Sequence, residues 1–213
     1  MKVDRACMLL YAVTDQSWLG SKTVAEVVEE AVAAGATFVQ LREKEASDRT
    51  FMEAARAVKA VTDRYQVPLV INDNVAVAMA VDADGVHVGQ EDMPVAAVRG
   101  LIGPDKILGV SAQNAAQAVA AQNDGADYIG VGAVFASPVK PDAGIVAREE
   151  LTRICQAVSI PVVAIGGITA QNILELKGAG IDGVAVVSAI FARPDIGEAT
   201  AQLLTLAREM VGN

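Results

Sequence analysis

One hydrophobic pattern recurs along the whole chain. Short runs rich in valine, isoleucine and leucine alternate with longer alanine-rich segments in which apolar residues recur at helical spacing. Short continuous apolar runs are typical of strands buried on both faces, and the periodic segments are typical of amphipathic helices. The pattern predicts strands at residues 7–13, 37–41, 69–72, 85–88, 107–110, 128–131, 162–165 and 183–187.

A helix is predicted after each strand, at residues 23–34, 48–65, 74–81, 94–101, 114–123, 148–158, 169–178 and 195–210. Residues that commonly cap helix N-termini stand at several of these starts, namely Ser47, Asn74, Asn114 and Thr169. Eight strand–helix units without a linker predict an α/β fold, a single-domain (β/α)8 TIM barrel that spans residues 1–213. The alternative is a doubly wound open sheet, which would normally contain fewer strands.

Composition narrows the class of protein. Hydrophobic residues make up 53% of the chain and charged residues 20%, which excludes a disordered chain. The apolar runs are shorter than the roughly 18 residues that a membrane span requires. The N-terminal apolar run reads as a first strand rather than a signal peptide. We therefore expect a cytoplasmic protein without a membrane partner.

Charge and cysteine content narrow it further. The net charge of −9 argues against nucleic acid and against anionic membrane surfaces as partners. The only two cysteines, Cys7 and Cys155, lie far apart in apolar contexts, so neither a disulfide framework nor a zinc site is indicated. Small molecules are the expected partners, and self-association into a homo-oligomer is left open.

Unusual polar residues follow the predicted strands rather than the predicted helices. In a (β/α)8 barrel the loops after the strands form the functional face. These loops carry Thr14, Asp15, residues 40–44, Asn72, Asp73, His87, Gln90, Asp92, Ser111, Ser137, Lys140, Gly166, Gly167 and Ser188. The distribution predicts one site at the C-terminal ends of the strands.

Two aspartates in these loops indicate a metal site. Asp73 and Asp92 follow neighbouring parallel strands, so their carboxylates can converge on one point. Two carboxylates and the amide of Asn72, without a cysteine, suit a hard cation of the magnesium type that keeps positions for a phosphate-bearing substrate. The alternative is that Asp73 caps a helix and Asp92 is an ordinary loop residue.

Basic residues beside these aspartates predict an anion site. Arg42 and Lys44 point to the same side of the second strand's end, and Lys140 would add a third cation. A diphosphate bridged by magnesium would satisfy both the cations and the carboxylates. The alternative for Arg42 and Lys44 is a solvated pair balanced by Glu43 and Glu45.

A second anion site is predicted after the last two strands. Gly166 and Gly167 would let backbone N–H groups approach a monophosphate, and Val187 and Ser188 lie in the adjacent loop. Barrels of this class frequently bind phosphate at this corner. The alternative for the two glycines is a tight turn.

The region between the two anion sites carries groups that suit a flat heterocycle. Tyr11, Gln40 and Ser111 can hydrogen-bond such a ring, although Tyr11 could instead fill the barrel. The only histidine, His87, could bind substrate, move a proton or be a satisfied core residue. Ser111 has no histidine to activate it unless His87 reaches it, which argues against a nucleophilic serine. Residues 133–147 form the longest connection and are interpreted as a substrate-covering lid.

Together these motifs resemble the thiamine-phosphate synthase (thiamine-phosphate pyrophosphorylase) family in order and spacing over nearly the whole chain. The motifs are Tyr11-Ala-Val-Thr14-Asp15, Gln40-Leu-Arg42-Glu-Lys44, Ile71-Asn72-Asp73, Asp84-Gly-Val-His87-Val-Gly89-Gln90-Glu-Asp92, Gly109-Val-Ser111, Asp127-Tyr-Ile-Gly130-Val-Gly132 and Gly166-Gly167-Ile168. The resemblance implies a Mg²⁺-dependent transfer of an alkyl group. The diphosphate of 4-amino-2-methyl-5-pyrimidinylmethyl diphosphate leaves, and the nitrogen of 4-methyl-5-(2-phosphoethyl)thiazole attacks the methylene in a dissociative, carbocation-like substitution that gives thiamine phosphate.

The resemblance also implies roles for individual residues. The residues that would hold the diphosphate are Arg42, Lys44, Asn72 and Lys140, and those that would hold Mg²⁺ are Asp73 and Asp92. The pyrimidine would contact Gln40 and Ser111, and the thiazole phosphate would contact Gly167, Val187 and Ser188. One segment departs from the family: where a Pro-Thr-x-Thr-Lys type of lid is usual, Ser137 keeps a hydroxyl and Lys140 the charge, while Val139 loses a hydrogen-bonding group.

Two other functions remain as alternatives. A thiazole tautomerase of the same fold would need neither a diphosphate clamp nor two magnesium carboxylates, and it resembles the synthases except for a histidine near the lid. Residues 130–140 contain no histidine, which counts against a tautomerase. A non-catalytic sensor of a phosphorylated ligand would need no leaving-group machinery, so the set of Arg42, Lys44, Asp73 and Asp92 counts against it.

Overall fold

The computed structural model describes residues 3–44, 46–136 and 144–212. Its eight parallel strands pair in chain order and close into a barrel, because the last strand pairs with the first. They are β1 (Leu10–Val13), β2 (Phe38–Leu41), β3 (Leu69–Asn72), β4 (Gly85–Val88), β5 (Ile107–Ala112), β6 (Tyr128–Val131), β7 (Val162–Ile165) and β8 (Gly183–Val186). The predicted (β/α)8 TIM barrel is confirmed, and the open-sheet alternative is wrong.

Helices cover the outside of the barrel. They are α1 (Val24–Ala33), α2 (Asp48–Tyr65), α3 (Val75–Ala80), α4 (Val95–Ile102), α5 (Ala115–Asn123), α6 (Arg148–Ala157), α7 (Ser188–Phe191) and α8 (Ile196–Val211). The predicted caps at Ser47, Asn74 and Asn114 are confirmed, since each side chain accepts a hydrogen bond from a backbone N–H three residues later. These caps fix where three of the loops that follow the strands end.

The first strand is shorter than predicted. Residues 7–9 were expected to belong to it, but Arg5–Met8 form a 3-10 helix that Asp4 caps, with 3.1 Å from Ala6 N to Asp4 Oδ1. The apolar pattern could not separate the two, because Met8 is buried inside the barrel just as a strand residue would be. The carbonyl oxygen of Met8 lies 1.9 Å from where a Cβ on Gly183 would stand, so glycine is required there.

The helix predicted at residues 169–178 is also different. Only Ile173–Leu176 are helical, as a single 3-10 turn. Asn172 explains the difference, because its side chain accepts from Thr169 N at 2.8 Å and donates to Gly167 O at 2.9 Å. Such local side-chain hydrogen bonds compete with helix formation. They also fasten the loop after β7, which carries the predicted phosphate corner.

The inside of the barrel is filled below its C-terminal end. Tyr11, Phe38 and Tyr128 pack edge to face there, with ring centroids 4.6 Å apart for Tyr11 and Phe38 and 5.6 Å apart for Phe38 and Tyr128. Both faces of most strands are buried, which explains their continuous apolar runs. The aromatic cluster forms the floor of the space that the loops enclose.

Among the helices that the structure describes, none has the length and apolar character needed to cross a membrane.

Candidate active site

A cavity of about 590 Å³ opens at the C-terminal ends of the strands. It has the size expected of a small-molecule site and lies on the face that the sequence predicts. The predicted residues that line it are Tyr11, Gln40, Arg42, Lys44, Asn72, Asp73, His87, Asp92, Ser111, Gly167, Val187 and Ser188. Ser137 and Lys140, with the rest of residues 137–143, lie outside the described part of the chain. The structure thus brings together every described residue for which a substrate, metal or catalytic role was predicted.

The carboxyl groups of Asp73 and Asp92 are in hydrogen-bonding contact. Burial, followed by this contact and the charge of Asp92, raises the pKa of Asp73 to about 6. Asn72 Nδ2 donates to Asp73 Oδ2 at 2.6 Å, and the backbone N–H of Gly89 donates to Asp92 Oδ2 at 2.7 Å. Two acidic groups are therefore held together by neighbours that fix their orientation.

The alternative that Asp73 caps a helix is wrong. Asn74 is the N-cap of α3, and its Oδ1 accepts from Val77 N at 2.9 Å. Asp73 instead has a left-handed backbone with φ of +60°, a conformation that is costly for a residue with a side chain. Backbone strain and a raised pKa at one residue are typical of a functional site.

The two aspartates fit a magnesium ion. Their contact concentrates negative charge that a divalent cation between them would balance. Within the described ranges no group of three or more His, Cys, Asp or Glu side chains could hold a metal ion. Magnesium commonly takes only one or two protein carboxylates and completes its octahedron with substrate phosphate and water.

Arg42 and Lys44 line the same cavity, in different environments. Arg42 Nη1 donates to Asp15 Oδ2 at 2.8 Å, and the two side chains are only 15% and 14% exposed. Lys44 lies close enough to Asp73 to lower its pKa in part. Arg42 is therefore paired with Asp15 rather than with Glu43, which accepts from Gln16.

The role of Asp15 as a partner of Arg42 was not predicted from the sequence. The two residues lie 27 positions apart, and nothing in the local pattern joins them. The signal that could have found the pair is the position of Asp15 at the end of β1, beside β2 in the parallel sheet. Asp15 also accepts from Ser17 N at 3.0 Å, so its own side chain is fixed.

A chain of hydrogen bonds crosses the floor of the cavity. Gln40 Nε2 donates to the Tyr11 hydroxyl at 2.5 Å, and the hydroxyls of Tyr11 and Tyr128 are 2.8 Å apart. The Tyr128 hydroxyl lies 2.9 Å from His87 Nδ1, and His87 Nε2 lies 2.9 Å from Ser111 Oγ. Burial raises the pKa of both phenols above their usual range, so both keep their protons. His87 therefore does reach Ser111, the condition on which a nucleophilic serine depended.

Tyr128 was not predicted as a site residue. It is fully buried, and its apolar ring makes it look like barrel filler in the sequence. The signal was a pair of glycines within strands: a Cβ on Gly109 in β5 would stand 2.1 Å from Tyr128 Cζ, and one on Gly130 in β6 would stand 3.2 Å from His87 Cε1. These glycines leave the room that the two rings occupy.

The loop after β7 forms the other end of the cavity. Gly166 and Gly167 have φ values of +99° and +65°. A Cβ on Gly167 would lie 2.3 Å from Ala136 O and 2.7 Å from Phe135 O. The loop after β6 is thus packed against Gly167, so this glycine is needed for the close approach of two loops whatever else it contacts.

The short helix α7 begins at Ser188, directly after β8. Sequence periodicity did not predict this helix because it has only four residues. Val187 and Ser188 line the cavity together with Gly166 and Gly167. A short extra helix beside the loops after strands 7 and 8 is a frequent phosphate-binding arrangement in barrels of this class.

A closed eight-stranded barrel with charged and hydrogen-bonding groups gathered over its C-terminal face defines an enzyme of the (β/α)8 class. Residues 10–190 match the family model described as thiamine monophosphate synthase. The chain is 55% identical to the thiamine-phosphate synthase of Ruminiclostridium cellulolyticum over 92% of this chain and 94% of that protein. It is 51% identical to that of Clostridium botulinum over 91% of each.

Solved structures agree with this relationship. The thiamine phosphate pyrophosphorylase from Pyrococcus furiosus superposes with a TM-score of 0.90 and 39% sequence identity, covering 98% of this chain and 99% of that one. The chain therefore belongs to the thiamine monophosphate synthase family and is a transferase. The resemblance inferred from the motifs is confirmed.

Proposed function

We propose that this chain is a Mg²⁺-dependent thiamine-phosphate synthase. It would transfer the 4-amino-2-methyl-5-pyrimidinylmethyl group from its diphosphate to the thiazole phosphate and release diphosphate. The observation that carries this proposal is the placement of the Asp73 and Asp92 carboxylates in one cavity with Arg42 and Lys44. Together these four charges suit a metal-bound diphosphate, and a ligand of lower charge would not need them.

The diphosphate would lie over the ends of β2 and β3. Arg42 presents a guanidinium that Asp15 already orients, and Lys44 adds a point charge on the side of Asp73. Asp73 and Asp92 would hold the cation. When bound, Mg²⁺ supplies positive charge where the leaving group becomes negative. Ser137 and Lys140 keep the proposed role of contacting phosphate.

The reaction needs no base on the protein. The carbon–oxygen bond to the diphosphate breaks, and its electron pair leaves with the diphosphate. The lone pair of the thiazole nitrogen then forms the new carbon–nitrogen bond to the methylene, and that nitrogen carries no proton to be removed. Catalysis would therefore depend on the orientation of the two substrates and on stabilisation of the negative charge that develops on the diphosphate. Arg42 and Lys44 are placed to stabilise that charge.

The heterocycle would lie over the floor of the cavity, between Gln40 and Ser111. The thiazole phosphate would bind at the other end, where Gly167, Val187 and Ser188 line the cavity. This arrangement points the two substrates at each other across the barrel. The proposed course is dissociative, because an amino-substituted pyrimidine can share the positive charge that develops on its methylene.

The test is a mixing assay with both substrates and Mg²⁺, in which diphosphate and thiamine phosphate are quantified by chromatography. We expect equal amounts of the two products, and none when either substrate is omitted or the metal is chelated. A tautomerase or a sensor would release no diphosphate. Diphosphate release that persists without the thiazole phosphate would show a hydrolase and would contradict the proposal.

A further inference from the structure

The hydrogen bonds on the cavity floor form one unbroken relay of Gln40, Tyr11, Tyr128, His87 and Ser111. Its two ends, Gln40 and Ser111, line the cavity at the ends of β2 and β5. Its two phenols are fully buried, with exposures of 1% and 0%. A relay with a buried middle and two accessible ends can couple the hydrogen-bonding state of one end to that of the other.

The relay has a defined direction. Gln40 donates its amide N–H to the Tyr11 oxygen. If Tyr128 also donated to Tyr11, the proton of Tyr11 would find no acceptor among the described residues. Tyr11 therefore donates to Tyr128, and Tyr128 donates to Nδ1 of His87. A neutral imidazole that accepts at Nδ1 carries its proton at Nε2, so His87 donates to Ser111 Oγ.

This direction determines what the cavity offers to a ligand. At one end one N–H of the Gln40 amide is used within the relay, and this orients the carbonyl oxygen as an acceptor for a ligand. At the other end the oxygen of Ser111 already accepts from His87, which leaves its hydroxyl proton as a donor. The same direction argues against a nucleophilic Ser111, because an Nε2 that carries a proton cannot take the proton of the serine.

We propose that Tyr128 is a positioning residue that fixes the Nε2–H tautomer of His87 and, through it, the donor state of Ser111. This inference rests on the proposed function for its substrate. A 4-aminopyrimidine presents an amino donor and a ring-nitrogen acceptor, which match an acceptor at Gln40 and a donor at Ser111. Its 4-oxo analogue presents the reverse pattern, so the relay would make the site select the amino compound.

The packing around Tyr128 keeps the relay in place. Its ring packs edge to face against Phe38, with centroids 5.6 Å apart, and Gly109 leaves no side chain in its path. Ser111 is fixed from its other side, because Gln90 Nε2 donates to its carbonyl oxygen at 2.7 Å. Removal of the Tyr128 hydroxyl should therefore leave the rings where they are and break only the relay.

The chain offers an unambiguous readout, because it contains a single histidine. With any affinity-tag histidines removed, the nitrogen NMR signals of the full chain at about pH 8, where an imidazole is ordinarily neutral, report the tautomer of His87. We expect the Nε2–H tautomer in the wild type and a mixture of tautomers in Tyr128→Phe. An Nδ1–H tautomer in the wild type, or an unchanged tautomer in Tyr128→Phe, would overturn the proposal.

Two further tyrosine variants serve as controls. Tyr65→Phe removes the same atom from an exposed residue of α2 and should change nothing. Tyr11→Phe separates Gln40 from the relay but keeps the donor next to His87, so it should keep the wild-type tautomer. If Tyr11→Phe altered the tautomer as much as Tyr128→Phe does, general repacking would be the cause and the proposal would fail.

Steady-state kinetics provide a second test of the role of Tyr128. Tyr128→Phe should raise the KM for the pyrimidine diphosphate about tenfold and leave that for the thiazole phosphate within about twofold, the scale of one misdirected hydrogen bond. The ratio of kcat/KM for the 4-amino substrate to that for the 4-oxo substrate should fall by at least about tenfold in Tyr128→Phe. An unchanged ratio would overturn the proposed selectivity. If the wild type releases no diphosphate, the proposed function fails, whereas the NMR result still decides the relay.

Discussion

Asp73 is the residue at which stability and function conflict. It combines a left-handed backbone with a carboxyl pKa that burial and the neighbouring Asp92 raise from its ordinary value to about 6. A group whose pKa is higher in the folded state stabilises the fold below its unfolded pKa. That contribution is lost as the pH rises through the folded pKa. The pair of aspartates should therefore lower the free energy of unfolding of the metal-free barrel at neutral pH. A destabilising pair of this kind is typical of a functional site.

Asp92→Asn tests this conflict. The variant keeps the acceptor for Gly89 N–H but removes one charge, so the metal-free protein should become more stable at pH 7 by about 1 kcal/mol after allowance for solvent screening. That corresponds to a Tm increase of about 3 °C by calorimetry, together with a loss of activity of at least about a hundredfold. Asp105→Asn, on an exposed loop, is the matched control and should change neither. A lower Tm in Asp92→Asn would contradict the strain assigned to the pair.

The pH dependence of activity should reveal competition between protons and metal. Below about pH 6 Asp73 gains a proton in the metal-free protein, so Mg²⁺ must displace that proton to bind. We expect kcat/KM to fall on the acid side, with a midpoint that moves to lower pH as the Mg²⁺ concentration rises. The measurement is a pH profile at two Mg²⁺ concentrations. An acid limb that stays in place would mean that Asp73 does not hold the metal.

Asp15→Asn should disturb the orientation of the Arg42 side chain and leave its charge unchanged. Asparagine can still cap the 3-10 helix Gln16–Trp18 but no longer pairs with the guanidinium as an ion. Loss of a largely buried charge-assisted hydrogen bond should raise the KM for the pyrimidine diphosphate about fivefold, with the thiazole KM unchanged. Glu53→Gln, which removes the exposed partner of Arg49, is the control and should have no effect. Equal KM increases for both substrates would instead indicate general damage.

Among the helices and strands, sequence patterns predicted correctly those whose positions are determined by burial or by a capping residue. The strands are buried on both faces, so their apolar runs mark them directly, and Ser47, Asn74 and Asn114 mark three helix starts. Patterns failed where a tertiary contact or a local side-chain hydrogen bond decides the structure. Met8 packs inside the barrel from a 3-10 helix, and Asn172 holds a loop where a helix was expected.

The loop after β7 should therefore respond to substitution differently from α7. Gly167→Ala would place a Cβ 2.3 Å from Ala136 O, so it should lower Tm and raise the KM of both substrates. Ser188→Ala, at the start of α7, should leave Tm unchanged and raise mainly the thiazole KM, by about tenfold. KM values and melting curves of the two variants test this. A selective thiazole effect in Gly167→Ala without a loss of stability would contradict the packing argument.

At the scale of the whole molecule, the order of the eight units determines which residues can meet. Parallel strands bring their C-terminal ends together, which is why Asp73 and Asp92 could be paired from the sequence. Pairs that depend on side-chain direction could not be predicted this way. The path from Tyr11 through Tyr128 to His87 required the register of the closed barrel. Asp15 and Arg42, in contrast, follow neighbouring strands, so the order of the strands could have indicated that pair.

Asp73 and Asp92 are proposed to hold the cation that receives the diphosphate. The most direct test is a titration of the full chain with Mn²⁺, as a paramagnetic substitute for Mg²⁺, followed by electron paramagnetic resonance with and without inorganic diphosphate. We expect Mn²⁺ to bind the wild type and Asp105→Asn alike, more tightly when diphosphate is present, and at least about tenfold more weakly in Asp92→Asn. Equal Mn²⁺ affinity in the wild type and Asp92→Asn, with diphosphate present, would show that Asp92 does not hold the cation.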